Sequence, residues 1–232
     1  MFTPQLADID GDGRLDLLSG SSCCQDPMCF YVFRRRPDGT FGPRERVNLD
    51  YPVSEFSRLQ EFPINGLKSR IAVADWNGDG KPDVLVGGYG MAPLGVIFDW
   101  SPKRPATVRR LGPKGEGAIN FMTTNPCLVD WDGDGLLDLV CGTAVNAAGK
   151  VDSTGRMGVY WFQNLGTKRE PKLGPARLLV PDGSRRVATG IAVADWNGDG
   201  RLDLIISRKD YKGAEGFEVE HHKILVYLRN GQ

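Results

Sequence analysis

Nine residues of one pattern recur four times in this chain of 232 residues. The copies are Asp8-Ile-Asp10-Gly-Asp12-Gly13-Arg14-Leu-Asp16, Asp75-Trp-Asn77-Gly-Asp79-Gly80-Lys81-Pro-Asp83, Asp130-Trp-Asp132-Gly-Asp134-Gly135-Leu136-Leu-Asp138 and Asp195-Trp-Asn197-Gly-Asp199-Gly200-Arg201-Leu-Asp203. Each fits D-x-[DN]-x-D-G-x-x-D. Five fixed polar or glycine positions do not recur four times by chance. The copies start 67, 55 and 65 residues apart. Self-similarity at such a spacing marks an architecture of stacked supersecondary units and overrides any domain count taken from length.

What surrounds each copy defines the unit. A short apolar run precedes it (Pro4 to Ala7, Ile71 to Ala74, Cys127 to Val129, Ile191 to Ala194) and another follows (Leu15 to Leu18, Val84 to Val86, Leu137 to Val140, Leu202 to Ile206). These runs are too short for helices and rich in Val, Ile and Leu, so they read as strands with the nonapeptide as a hairpin turn. A third run follows at Phe30 to Phe33, Gly95 to Trp100, Gly158 to Phe162 and Ile224 to Leu228. A fourth, more polar run spans Arg44 to Leu49, Thr107 to Leu111 and Ala176 to Val180. The unit is thus a four-stranded antiparallel meander, and radial repetition of meanders makes an all-β propeller. Residues 1–232 form one such domain, with blades near 1–60, 61–120, 121–185 and 186–232, the last without an outer strand.

The nonapeptide carries its own chemistry. Oxygen ligands at positions 1, 3 and 5 can turn onto one cation, a glycine at position 6 allows the turn, and the carbonyl at position 7 points back. This is the calcium logic of the EF-hand loop, except that an Asp at position 9 replaces the bidentate Glu at position 12. The ligands expected are Asp8, Asp10, Asp12, the Arg14 carbonyl and Asp16, then Asp75, Asn77, Asp79, the Lys81 carbonyl and Asp83. The other two sets are Asp130, Asp132, Asp134, the Leu136 carbonyl and Asp138, then Asp195, Asn197, Asp199, the Arg201 carbonyl and Asp203. Up to four calcium ions are expected. Magnesium fits less well because it dehydrates reluctantly. The bland alternative is a set of Asp-Gly turns with no ion, against which stands the mutual repulsion of the carboxylates.

Arg70-Ile-Ala-Val-Ala-Asp-Trp-Asn-Gly-Asp-Gly-Lys-Pro-Asp-Val-Leu-Val-Gly-Gly88 resembles an FG-GAP repeat of the VCBS type, as in integrin-like propellers. The stretch at 158–167, Gly-Val-Tyr-Trp-Phe-Gln-Asn-Leu-Gly-Thr, is similar to the third strand and turn of VCBS repeats. The resemblance covers nearly the whole chain. It implies a propeller, calcium on hairpin loops at one face, and adhesion or ligand binding, but names no partner because one fold hosts many functions. Propellers of that family have about seven blades against four loops here, in a general range of about 4–8. The expectation is therefore part of a larger propeller, or an arc completed by self-association, with a compact four-bladed ring as the alternative.

Charge bears on the partner. The formal net charge is zero, yet fourteen of the 29 acidic residues sit in the four loops. Four calcium ions would bring the chain to a formal +8, with Arg34-Arg35-Arg36, Arg109-Arg110 and Arg185-Arg186 as basic clusters. A protein or glycan ligand, an anionic polysaccharide included, is the expected partner, and nucleic acid is not. No apolar run reaches the length of a membrane span and no signal peptide is visible. The setting expected is extracellular, cell-surface or periplasmic.

Remaining side chains give weaker signals. Cys127 and Cys141 flank the third loop symmetrically, which leaves open a disulfide or two buried small hydrophobes. A Cys24–Cys29 bridge would suit export, with Cys23 alongside. His221 and His222 read as a solvated charged loop. Trp76, Trp131 and Trp196, at position 2 of their loops, read as packing between blades, with Trp100 and Trp161 as minor candidates for ligand contact. No catalytic motif is present, so a non-enzymatic module is expected. A propeller-scaffold polysaccharide lyase or hydrolase and a purely architectural segment are the rivals.

Overall fold

A computed structural model describes residues 4–21, 29–50, 68–89, 94–102, 105–111, 123–143, 158–181, 186–211 and 219–229. Every regular element in it is a β-strand. The nonapeptides fall where the sequence puts them, as the turns of four hairpins. These are β1 (Pro4–Ala7) with β2 (Asp16–Gly20), β5 (Lys68–Ala74) with β6 (Asp83–Tyr89), β10 (Thr123–Val129) with β11 (Asp138–Thr143), and β14 (Arg186–Ala194) with β15 (Asp203–Tyr211). The register is the same each time: the residue before position 1 pairs with the Asp at position 9, as in Ala7 with Asp16 and Ala194 with Asp203. Asn125-Pro126 falls where the β10–β11 register shifts, as expected of a residue that cannot donate to a ladder.

Third strands complete each hairpin: β3 (Cys29–Phe33), β7 (Gly95–Ile97), β12 (Gly158–Asn164) and β16 (Val219–Tyr227). Outer strands β4 (Glu45–Asp50), β9 (Arg109–Arg110) and β13 (Leu173–Pro181) close the first three sheets, and the fourth sheet has three strands among the described residues. Two departures from the sequence reading stand out. The run expected as one outer strand from Thr107 to Leu111 is split: β8 (Ala106–Thr107) pairs in parallel with β4 of the first sheet, and only β9 joins its own. His221 and His222 are not in a loop but in β16, opposite Asp210 and Lys209.

Consecutive sheets pack face to face through three apolar clusters. One joins the first sheet to the second (Ile9, Leu18, Val32 with Ile71, Val84, Ile97). The next joins second to third (Ala72, Trp76, Leu85 with Leu139, Tyr160, Phe162), and the last joins third to fourth (Trp131, Val140, Val159 with Ile191, Leu204, Ile206). A sheet covered on both faces must be apolar at successive residues. That is why Val84-Leu85-Val86 and Leu139-Val140-Cys141 are continuous buried runs rather than alternating ones. Side chains in these joints each contribute roughly 1.5–3 kcal/mol by burial.

The cysteines follow the same geometry. β10 and β11 set Cys127 opposite Val140, not opposite Cys141. Cys141 belongs to the joint with the second sheet and Cys127 packs against the joint with the fourth. Both are thiols whose ionisation burial opposes: Cys127 is pushed up to about 11, and Cys141 further. They act as small hydrophobes. Cys29 is a buried thiol in β3, while Cys23 and Cys24 lie outside the described residues.

Candidate metal centre

The four loops are built alike from hydrogen bonds that run inward. The position-1 carboxylate collects the loop's own N–H groups: Asp8 Oδ1 accepts from Gly11 and Asp12 at 2.8 and 3.0 Å, and Oδ2 from Gly13 at 2.8 Å. Asp75, Asp130 and Asp195 accept in the same way, each from the position-6 glycine at 2.9 Å. At position 5, Asp12, Asp79, Asp134 and Asp199 each accept the N–H of position 7 at 2.8–2.9 Å. Positions 4 and 6 both have positive φ, 81° and 89° at Gly133 and Gly135, so both require glycine. Position 4 was legible in principle, since it is glycine in all four copies.

Position 9 has a task the sequence reading did not give it. Asp16, Asp83, Asp138 and Asp203 are completely buried. Oδ1 of each accepts the N–H of the residue that ends or follows the third strand: Arg35 at 2.7 Å, Asp99 at 3.0 Å, Asn164 at 2.6 Å and Arg229 at 2.8 Å. Oδ2 accepts the position-2 N–H in three loops, from Trp76 at 2.9 Å, Trp131 at 3.2 Å and Trp196 at 3.0 Å. This carboxylate therefore braces the loop against the third strand. A carboxylate has about four lone-pair sites, so the bonds leave room for a further ligand role. Burial raises the pKa of Asp83 and Asp138, while the backbone N–H donors pull it down.

Two groups of acidic oxygens converge to within 4.8 Å of one another among the described residues. They are Asp8, Asp10 and Asp12 in the first loop and Asp130, Asp132 and Asp138 in the third. Loops two and four hold Asn77 and Asn197 at position 3, whose Oδ1 atoms accept the N–H of Asp79 and Asp199, each at 3.0 Å. Compensation of charge differs between loops. Arg14 bonds the Asp12 carboxylate, Arg201 Nη2 lies 2.7 Å from Asp199, and Lys81 Nζ lies 3.7 Å from Asp79. In the third loop position 7 is Leu136, so Asp134 has no such partner at that place.

Neighbouring residues complete the contrast. Arg34 Nη1 stands 3.3 Å from Asp10 and 2.9 Å from Asp16, a positive charge between two expected ligands of the first loop. The same site in the third loop is Gln163, whose Nε2 donates to Asp132 at 2.7 Å without adding charge. Asp99 adds an acid to the second loop. Its φ of 50° is the one left-handed value outside glycine among the described residues, and a hydrogen bond from its carboxyl leads the causes that lower the Asp79 pKa. No sequence signal marks it, since the residue bonded to position 9 from the third strand lies at a different distance in the first, second and third loops. The donor set is hard oxygen throughout, and it fits a hard divalent cation best in the third loop.

The tryptophans divide. Trp76 is buried, stacks on Phe98 at 6.2 Å and donates to the Leu137 carbonyl at 2.8 Å; Trp131 is buried under the Arg229 guanidinium. Both pack between sheets as expected. Trp196 is 62% exposed and does not. Trp100 is buried edge-on to Phe30, and Trp161 donates Nε1 to Asp138 under Arg177, so neither offers an open ring. Of the basic clusters, Arg34 is turned inward and Arg35 lies over Phe41. Arg185 lies outside the described residues.

Fold and loops together define an all-β repeat protein whose hairpin turns are acidic oxygen nests. The chain belongs to the FG-GAP-like repeat family, whose model matches residues 8–86 and 130–206. It is similar to cartilage acidic protein 1 of Homo sapiens, 27% identical over 87% of this chain and 29% of that protein. The Mus musculus protein of that name is 28% identical over 69% of this chain and 25% of its own length. The chain thus spans under a third of these relatives. Among solved structures, a chain of the Photorhabdus luminescens Tc holotoxin pore aligns with 99% of this chain and 9% of its own, at 19% identity and a TM-score of 0.35.

Proposed function

We propose that this chain is a calcium-stabilised β-propeller segment of an extracellular or periplasmic protein, serving to bind a protein or glycan partner. The observation that carries the metal reading is the third loop. Three carboxylates converge there, a fourth stands at position 5, and neither Leu136 nor Gln163 brings a counter-charge. Asp130, Asp132, Asp134 and Asp138 would hold the ion, which would supply the missing positive charge and lock the hairpin. The first loop is the weaker site because Arg34 competes for its oxygens. Family membership and the likeness to cartilage acidic protein 1 support an extracellular setting. Extracellular calcium modules bind at roughly 10⁻⁴–10⁻³ M.

Isothermal titration with calcium tests this. Asp132→Ala is expected to remove the tightest of the bound ions, and Asp10→Ala a weaker one. Titration to millimolar calcium with no heat and no change in melting temperature would discard the metal reading. The partner reading is tested by retention on anionic polysaccharide with calcium and with chelator, where retention should require calcium and fall with salt.

A further inference from the structure

One residue at the end of the third strand varies with the loop it adjoins. In each unit it precedes the residue whose N–H the position-9 carboxylate accepts, so Arg34, Phe98, Gln163 and Leu228 stand before Arg35, Asp99, Asn164 and Arg229. Position 3 of the loop, in the same order, is Asp10, Asn77, Asp132 and Asn197. An Asp thus stands at position 3 where this residue carries N–H donors, and an Asn where it is apolar. The two donors meet their Asp alike: Arg34 Nη1 lies 3.3 Å from Asp10 Oδ2, and Gln163 Nε2 lies 2.7 Å from Asp132 Oδ2. They differ by one charge.

That charge sits where a bound cation would act. The Arg34 side chain is 19% exposed and serves three carboxylates: Nη1 reaches Asp16 at 2.9 Å as well as Asp10, and Nε lies 3.6 Å from Glu45. Asp10 and Asp16 are positions 3 and 9 of the first loop, so one guanidinium ties the middle of the nonapeptide to its end. In the third loop the position-9 oxygen of Asp138 converges with those of Asp130 and Asp132. Among the described residues Asp16 does not join the matching group of Asp8, Asp10 and Asp12, and Arg34 holds it instead. Arg14 adds a second positive charge at Asp12. The four carboxylates of the third loop have no ion pair among the described residues. Affinity of an oxygen site for calcium follows the charge and rigidity of its ligands.

We infer that the side chain at the end of the third strand decides how each four-carboxylate loop is neutralised. Arg34 is a tethered cation that holds the first loop together without a metal ion, and Gln163 leaves the third loop to calcium. The device presupposes calcium at the third loop and adds a residue that sets which loops depend on it. An ion can fill the first loop only by displacing Arg34 from Asp10 and Asp16, so the first hairpin keeps its form in chelator while the third loosens. Exchanging the two side chains should exchange the two behaviours.

The test makes Arg34→Gln and Gln163→Arg separately in the full chain, with calorimetric melting in chelator and in calcium and isothermal titration of calcium. Arg34→Gln should melt below the parent in chelator, gain more from calcium, and bind the first loop's ion about tenfold more tightly or better. Gln163→Arg should melt above the parent in chelator, gain less from calcium, and weaken the third loop's ion by a like factor. Arg34→Lys keeps the charge and loses the planar fork, so it should titrate as the parent does. If it titrates as Arg34→Gln instead, Arg34 is a geometric brace and the tethered-cation role is overturned. Should Arg34→Gln fail to fold, Gln163→Arg decides alone. A parent that loses an ion with Asp132→Ala, beside exchanges that leave every titration unchanged, overturns the role of Arg34 and leaves the calcium reading standing. No binding by any of these proteins discards both.

Discussion

The Asp138 carboxylate accepts N–H groups from Trp131, Trp161 and Asn164 while completely buried. Burial holds its pKa, and that of Asp83, above the usual carboxylate value. A carboxyl whose pKa is raised in the fold holds its proton more tightly folded than unfolded. Its contribution favours the fold at low pH and is lost as pH rises through the raised value, leaving a charged group that opposes folding. A cation at the third loop reverses that sign, and protons compete with it. Calcium is therefore expected to raise the melting temperature more at about pH 7 than at about pH 4.5, as scanning calorimetry would register. An equal rise at both would exclude carboxylate ligation. The acidic turn and its convergent carboxylates were legible from D-x-[DN]-x-D-G-x-x-D, because residue types and spacing are local. The brace made by position 9 was not, nor was Arg34 beside Asp10 or Asp99 beside Asp79. Each depends on where a third strand ends, and no local pattern records that.

Among elements, the hairpins are the most sequence-determined part. Their loops fix the register, so the loop-side ends of the flanking strands were placed within one residue, while far ends run up to five residues beyond the reading, as in β14 and β15. The outer strands were read less well, because Ala106 to Leu111 is pulled between two sheets and its split is decided by the neighbour rather than by propensity. The position-2 side chains show how far context sets worth. Trp76→Ala is expected to cost about 3–5 kcal/mol, the penalty for emptying a packed aromatic site. Trp196→Ala should cost under about 0.5 kcal/mol, as for an exposed site. Urea denaturation followed by circular dichroism distinguishes these, and equal costs would contradict the packing described for Trp76.

At the scale of the molecule, the apolar clusters of the described residues join each sheet to its neighbours in the chain, so stability is close to a sum of unit and joint contributions. Global unfolding need not be two-state. Asp199→Ala should raise hydrogen exchange in β14 to β16 and leave β1 to β4 near its parent rates, whereas Asp134→Ala should loosen the sheets on both sides. Uniform acceleration after Asp199→Ala would show one cooperative unit instead.

Among the described residues, one joint differs from the other two in kind. β8 leaves the second unit to pair with β4 of the first, and Val108 N donates to the Asp50 carbonyl at 2.7 Å. The first two sheets are sewn by backbone as well as pressed together by side chains. Under tension applied through the ends of the chain, apolar faces can peel apart gradually. A backbone stitch must break in shear, several bonds together. If the protein bears load between a surface and whatever it grips, the stitched pair is the part built to yield last.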